Sequence, residues 1–110
     1  MNKSRRKEIM TAIKKLNGIL DKIQKNDKED MLEELEDVIG DVQNILDDEM
    51  CYMENIPENL QGGERYERAE EACDSLESAV DVLEYIVEDD SVKYITDTID
   101  KAVDYLRDAM

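Results

Sequence analysis

Residues 67–88 read ERAEEACDSLESAVDVLEYIVE, and two patterns with the same period run through this stretch. Apolar residues such as Ala69, Leu76 and Leu83 recur at steps of three or four, which is the spacing of one face of an α-helix. Acidic residues recur at that spacing on another face. We call these residues the acid row: Glu67, Glu70, Asp74, Glu77, Asp81, Glu84 and Glu88. The stretch predicts an amphipathic helix with one sign of charge along one side, because no Lys or Arg lies between Arg68 and Lys93.

Three other parts of the chain have apolar residues with the helical period. The first seam contains Ile9, Ile13, Leu16, Leu20 and Ile23. The second contains Leu35, Val38, Val42 and Ile45, with Leu32, Ile39 and Leu46 beside them. The last contains Val92, Ile95, Ile99, Ala102, Leu106 and Ala109. We predict helices at about 4–24, 28–55, 64–87 and 91–109, with a loop at about 56–63.

Individual residues support these boundaries. Ser4 is predicted to cap the first helix, and Pro57 to end the second, since the residue before a proline is disfavoured in the helical conformation. Gly18 lies inside the first helix, where glycine lowers helix stability by up to about 1 kcal/mol relative to alanine. We therefore predict that Gly18 allows a close approach of a neighbouring helix.

The composition predicts one all-α domain spanning residues 1–110. The chain has five Tyr but no Phe or Trp, so its core must be aliphatic, which suits helices packed on helices. Two architectures fit: a compact antiparallel four-helix bundle, which we favour, or a hairpin of two long jointed helices that would bury its seam by forming a homodimer. The hairpin stays open because no Gly or Pro separates the last two seams, although their phase shifts at VEDDSV (87–92).

The net charge of −16 is divided unevenly along the chain. Residues 1–25 hold eight bases and two acids (8 − 2 = +6), and residues 26–110 hold six bases and 28 acids (6 − 28 = −22). The acidic body should repel nucleic acids and anionic membranes and attract basic protein surfaces. We expect the basic first helix to pair with the chain's own acids and no direct binding to nucleic acid or membrane.

Residue types also limit the possible chemistry. There is no His, and Cys51 and Cys73 have no CxxC spacing, which argues against a zinc site and against a histidine base. Residues 21–34 (DKIQKNDKEDMLEE) lack the order of oxygen ligands and the glycine of a calcium loop. We predict no enzyme activity, no metal and no cofactor, and we expect free thiols in a cytoplasmic protein.

The acid row is the main functional clue. Like charges at these helical spacings cost about 0.2–0.5 kcal/mol per pair, so the row lowers the stability of the helix. That the sequence keeps this cost suggests that the row has a function. Its carboxylates recur about every 5 Å, whereas one DNA strand carries a charge about every 3.4 Å. A second row on helix two would raise the density to about one charge per 2.6 Å if the two rows were adjacent. Its candidate binding residues are Glu34, Asp37, Asp41 and Asp48.

The end of the second helix suggests a different contact surface. Tyr52 and Met53 are candidate secondary partner contacts, since aromatic and methionine side chains are enriched at interfaces. The alternative is that this apolar segment closes the end of the bundle. Its apolar residues are Met50, Cys51, Tyr52, Met53, Ile56 and Leu60.

Two segments resemble a known family: MNKSRRKEI (1–9) and ENIPENLQGGERYERAEEA (54–72). They are similar to small acidic helical proteins encoded by phages and mobile elements of Gram-positive bacteria, which share a basic start and an N-[LI]-P-E-x-L-Q turn. The chain departs from the family pattern after the turn, where Gly62 to Tyr66 stand in place of Ser-Glu-Arg-Gly. The resemblance implies a phage origin and brings no catalytic residues, and the function of the family is largely unassigned.

Two functional hypotheses follow. In the first, the chain is a phage-type inhibitor (for example an anti-CRISPR protein) in the host bacterial cytosol. It would bind a basic nucleic-acid-handling host protein, such as a CRISPR effector or another defence nuclease, by imitating a nucleic acid. In the second, it is a helical adaptor that binds through its apolar surface, and the acids only keep it soluble.

Overall fold

The computed structural model describes residues 1–110 and consists of four α-helices without a β-strand. The helices are α1 (Lys3–Gln24), α2 (Met31–Glu54), α3 (Glu64–Glu84) and α4 (Val92–Ala109), and a short 3-10 turn (Glu58–Leu60) lies between α2 and α3. The predicted all-α fold is therefore confirmed.

The four helices form an up-down-up-down bundle in which α1 and α3 occupy opposite corners. α1 contacts α2 and α4, and α3 contacts the same two helices. Contacts at the two ends show the antiparallel order: Arg5 Nε lies 2.6 Å from Glu49 Oε2, and Lys28 Nζ donates to the carbonyl oxygen of Asp90 at 2.9 Å. The molecule measures 53 × 21 × 17 Å. The chain thus forms the compact bundle, and α3 and α4 are separate helices.

The core is the aliphatic seam that the helical period predicted, with small changes at its edges. In α3 the structure buries the predicted Ala69, Leu76 and Leu83 and adds two neighbouring pairs, Ala72 with Cys73 and Ala79 with Val80. Leu32, which the sequence placed beside the seam of α2, is instead exposed. Each fully buried large aliphatic side chain contributes about 1.5–3 kcal/mol, so this core is the main source of stability.

The start of α1 differs from the prediction. Asn2, not Ser4, is the N-cap, and its Oδ1 accepts the Arg5 N–H at 2.8 Å. At the other end Asn26 adopts a left-handed conformation (φ 61°), and the amides of Asn26 and Asp27 donate to the carbonyls of Ile23 and Lys22. This arrangement satisfies two terminal carbonyls of the helix. Asn26 thereby reverses the chain, and α2 begins at Met31 rather than at residue 28.

The end of α3 was predicted three residues too late. α3 ends at Glu84, not at residue 87, because the Val87 amide donates to Asp90 Oδ2 at 2.8 Å instead of continuing the helix. Ser91 Oγ then accepts the Tyr94 amide at 3.1 Å and caps α4. These local side-chain acceptors compete with helical hydrogen bonds and break the chain without a glycine or proline. Glu88 therefore lies in the α3–α4 turn (residues 85–91).

Gly18 does not serve a close approach between helices. A Cβ atom built on Gly18 would meet no atom within 4 Å, and the residue is exposed. The predicted packing role for this glycine is wrong, because it lies on the solvent side of α1.

Candidate protein-binding surface

The acid row is fully accessible and unpaired. All seven of its carboxylate side chains are exposed: six lie on α3 and Glu88 lies in the α3–α4 turn. None of them takes part in an ion pair, and the salt bridge within α3 joins Arg68 to Glu64, outside the row. The row thus presents negative charge directly to solvent.

Packing of the opposite face of α3 fixes the direction of this charge. Ala69, Leu76 and Leu83 are almost completely buried, which sets the rotation of the helix about its axis. At about 100° per residue, acids at the positions between these anchors must point away from the core. The helical part of the row extends over about 26 Å, with one carboxylate about every 5 Å.

The row predicted on α2 does not lie beside that of α3. Lys15 Nζ of α1 donates to Asp41 Oδ2 at 2.7 Å and to Asp37 Oδ2 at 3.2 Å. Lys22 of α1 pairs with Glu34. Three of the four α2 candidates therefore face α1 and are partly neutralised by it, so the two-row surface that these residues were expected to form is absent.

The geometry around Asp48, the fourth candidate, agrees with this orientation. Asp48 is exposed and lines a cleft of about 330 Å³ together with Asp41 and the α1 residues Glu8, Thr11 and Lys15. The ion pairs across the α1–α2 groove also change the lysines. Hydrogen bonds to Asp41 and then Asp37 raise the pKa of Lys15, and the bond to Glu34 raises the pKa of Lys22.

A different set of α2 acids is free. Glu33, Glu36 and Asp47 are exposed and belong to no ion pair. Their spacings of 3 and 11 residues correspond to about one and three helical turns, and at about 100° per residue they lie opposite the buried seam. The sequence contained this signal, but the prediction followed the row on the neighbouring flank of α2.

Tyr52 and Met53 are each half-buried at the end of α2. The guanidinium carbons of Arg5 and Arg65 both lie 5.2 Å from the centroid of the Tyr52 ring, and Arg65 Nε donates to the Tyr52 hydroxyl. The chain's own arginines therefore cover the ring that was considered as a partner contact. Beside it, a cleft of about 560 Å³ opens between the start of α3 and the end of α4.

Glu49 is a buried acid that the sequence analysis did not single out. Its side chain is completely buried, and its two carboxylate oxygens lie 2.6 Å from Arg5 Nε and 3.5 Å from the amino group of Met1. The signal was available, because Glu49 continues the seam of Val38, Val42 and Ile45 by one more step of four. The ion pair joins the start of α1 to the end of α2.

A patch of apolar side chains is exposed at the opposite end of the bundle. Tyr85, Val87 and Tyr94 are 73 %, 53 % and 46 % exposed, and they flank the α3–α4 turn. In the segment predicted as apolar contact surface, Ile56 is buried and Tyr52 and Met53 are half-buried, whereas Met50, Cys51 and Leu60 are exposed. The most exposed aromatic side chain is thus next to the acid row, not at the α2–α3 connection.

No three acidic or cysteine side chains come together in a geometry that would hold a metal ion. None of the helices combines the length and apolar character needed to cross a bilayer. Cys51 is exposed and Cys73 buried, and both are free thiols. Neither a protein-family model nor a curated protein nor a solved structure shows significant similarity to this chain.

Proposed function

We propose that this protein is a stoichiometric, non-enzymatic inhibitor that binds a Lys/Arg-lined groove of a nucleic-acid-handling protein. The acid row of α3 would occupy the place of a nucleic-acid backbone. The observation that carries the proposal is that six exposed acids line one side of α3, Glu88 follows them in the α3–α4 turn, and none of the seven is paired. A basic groove would interact favourably with such a surface through electrostatic attraction, and neither protein would have to change its conformation.

The geometry supports imitation of one strand better than of a duplex. A carboxylate about every 5 Å gives the row about two thirds of the charge density of a single DNA strand. Three of the four α2 acids that would have completed a duplex-like density pair with α1 instead. The free acids Glu33, Glu36 and Asp47 add negative potential to the outer side of α2.

The resemblance of the two sequence segments to phage proteins supports a more specific form of this proposal. In that form the chain acts in the cytoplasm of a bacterial host, and its target is a defence complex such as a CRISPR effector or another nuclease. Exposed and unpaired carboxylates suit such a role, because these targets must present basic channels to bind nucleic acid.

The test compares free acids with paired ones. The variant Glu77→Gln/Asp81→Asn removes two charges from the acid row, and the control Asp37→Asn/Asp41→Asn removes two charges already held by Lys15. Each immobilised protein is exposed to host lysate at low and high salt, and captured proteins are challenged with DNA. We expect the wild type to capture a nucleic-acid-binding protein, and DNA or high salt to release it. The first variant should fail to capture this protein, and the control should still capture it.

Two results would contradict the proposal: binding that is indifferent to salt and DNA, or equal binding by both variants. The adaptor hypothesis makes a different prediction, namely that binding survives loss of the row charges and fails in Tyr52→Ala or Met53→Ala. Those two variants, run in the same assay, separate the two functions.

A further inference from the structure

The end of the bundle formed by the α3–α4 turn combines exposed aromatic rings with acids. Tyr85 and Tyr94 expose 73 % and 46 % of their surface. Burial of these rings would stabilise the fold if it occurred in the core, and a complex if it occurred against a partner. Residues 84–94 contain four acids and one lysine (−4 + 1 = −3), and Lys28, whose Nζ donates to the Asp90 carbonyl, brings the charge at the turn to −3 + 1 = −2. The acids are Glu84, Glu88, Asp89 and Asp90, and the base is Lys93.

The same molecule shows which group such a combination binds. At the other end of the bundle the Arg5 guanidinium lies 5.2 Å from the centre of the Tyr52 ring while its Nε donates to Glu49. A planar guanidinium can stack on an aromatic face and donate to a carboxylate at the same time, which an ammonium group does less well. Tyr85 directly follows Glu84 in the chain, and Tyr94 lies four residues after Asp90 and three before Asp97, but no arginine lies over either ring.

We propose that the α3–α4 turn is an arginine-binding anchor, in which Tyr85 and Tyr94 stack on guanidinium groups of the partner and the adjacent acids accept their hydrogen bonds. The inference rests on the proposed function, because the occupant is an arginine-rich segment of the same basic partner. Continuity supports this: Glu84 is the last helical residue of the acid row and Glu88 lies within the turn. A basic segment that follows the row along α3 therefore reaches Tyr85, the residue after Glu84, and the turn that leads to Tyr94.

The charge around the turn selects this occupant over others. An acidic or purely apolar partner would have to desolvate the carboxylates beside the rings without compensation. A lysine-rich segment would satisfy the charge but would use the ring faces less well. The turn is therefore the place where the protein distinguishes arginine from lysine, whereas the row responds to positive charge in general.

A nona-arginine and a nona-lysine peptide test this distinction by calorimetric titration at low salt. We expect the wild type to bind nona-arginine about two- to five-fold more tightly than nona-lysine, as expected for an exposed cation–π contact. In Tyr85→Leu/Tyr94→Leu this preference should disappear while binding of nona-lysine is retained. Tyr85→Phe/Tyr94→Phe keeps the rings and should keep the preference, and Met10→Ala is a control for loss of a remote exposed side chain.

The outcomes separate this inference from the function on which it rests. Glu77→Gln/Asp81→Asn should weaken both peptides by a similar factor and leave their ratio unchanged. Equal binding of the two peptides to the wild type, or an unchanged ratio in the leucine variant, would overturn the anchor and leave the acid row untouched. Failure of both peptides to bind would overturn the anchor together with the proposed function. Far-ultraviolet circular dichroism verifies that each variant is folded.

Discussion

Glu49 shows how a single residue determines the packing of the whole N-terminal region. Its carboxylate is completely buried and is held by Arg5, whose guanidinium also covers Tyr52. A buried charge without a partner is strongly destabilising, so the position of α1 against α2 depends on this contact. The ion pair thus holds the start of α1 against the end of α2.

Removing the arginine tests this role. We expect Arg5→Ala to lower the free energy of unfolding by about 3 kcal/mol, because it leaves the Glu49 charge buried and without its closest partner. Lys7→Ala removes a neighbouring exposed base that makes no side-chain contact, and it should change stability by less than about 0.5 kcal/mol. Urea titrations of the two variants and the wild type provide the measurement, and similar values for both variants would refute the assigned role.

Cys73 links burial at one residue to the pH dependence of stability. Burial, followed by the nearby charge of Glu49, raises the pKa of its thiol from 9.0 to about 11. Because the folded protein disfavours the thiolate, the stabilising contribution is complete below about pH 9 and is lost as the pH rises to about 11. We expect Cys73→Ala to lose less stability than the wild type over this interval, as measured by urea titration at each pH. Parallel pH profiles would exclude the thiol as the cause.

At the scale of the helices, the glycines inside α1 and α2 are positions where a residue with higher helix propensity would stabilise the fold. A Cβ at Gly18 or Gly40 would meet nothing within 4 Å, and neither glycine has a positive φ. We expect Gly40→Ala to raise the free energy of unfolding by about 0.5–1 kcal/mol, since alanine is the better helix former. At Gly63 a Cβ would lie 3.2 Å from the Leu60 carbonyl, so Gly63→Ala should give no such gain. Thermal unfolding of the two variants checks the difference in sign.

The helices were predictable from sequence to the extent that burial alone determines them. The seams of α1 and α4 follow an unbroken period of three and four, and the structure buries nearly all of their members. The end of α3 was not predictable in this way, because it depends on whether the Asp90 side chain or the helix provides the acceptor for the Val87 amide. A period describes one face of a helix and contains no information on such local competition.

The surface was less predictable than the core, because neighbouring helices decide which acids remain free. On α2 and α3 the sequence shows rows of similar spacing, yet Lys15 and Lys22 face one row and no cation faces the other. This difference follows from the positions of α1 and α3 at opposite corners of the bundle. Only the packing of the whole molecule decides that an acid such as Asp41 is paired with a lysine and that one such as Glu77 is left free.

At the scale of the whole molecule, charge opposes stability. The chain carries a net charge of −16, and its helix-to-helix ion pairs are confined to the contact between α1 and α2. The five neighbouring pairs within the acid row on α3 each cost about 0.2–0.5 kcal/mol. A protein selected only for stability would place lysines between these acids, and the chain does not. Such a persistent cost is expected where a surface is kept for binding.

The variant Glu70→Gln/Glu77→Gln/Glu84→Gln tests this trade-off directly. It removes one member from every neighbouring pair of the helical row, so we expect the free energy of unfolding to rise by about 1–2.5 kcal/mol at low salt and by less at high salt. The same variant should bind nona-lysine more weakly, because three charges of the row are gone. The control Glu33→Gln/Glu36→Gln/Asp47→Asn removes three exposed acids but only two like-charge pairs within α2, Glu33–Glu36 and Glu33–Asp37, and its gain should be smaller. If the α3 variant is no more stable than the wild type, or binds the peptide as tightly, the acid row is only a solvated face, and the opposition between stability and binding does not exist.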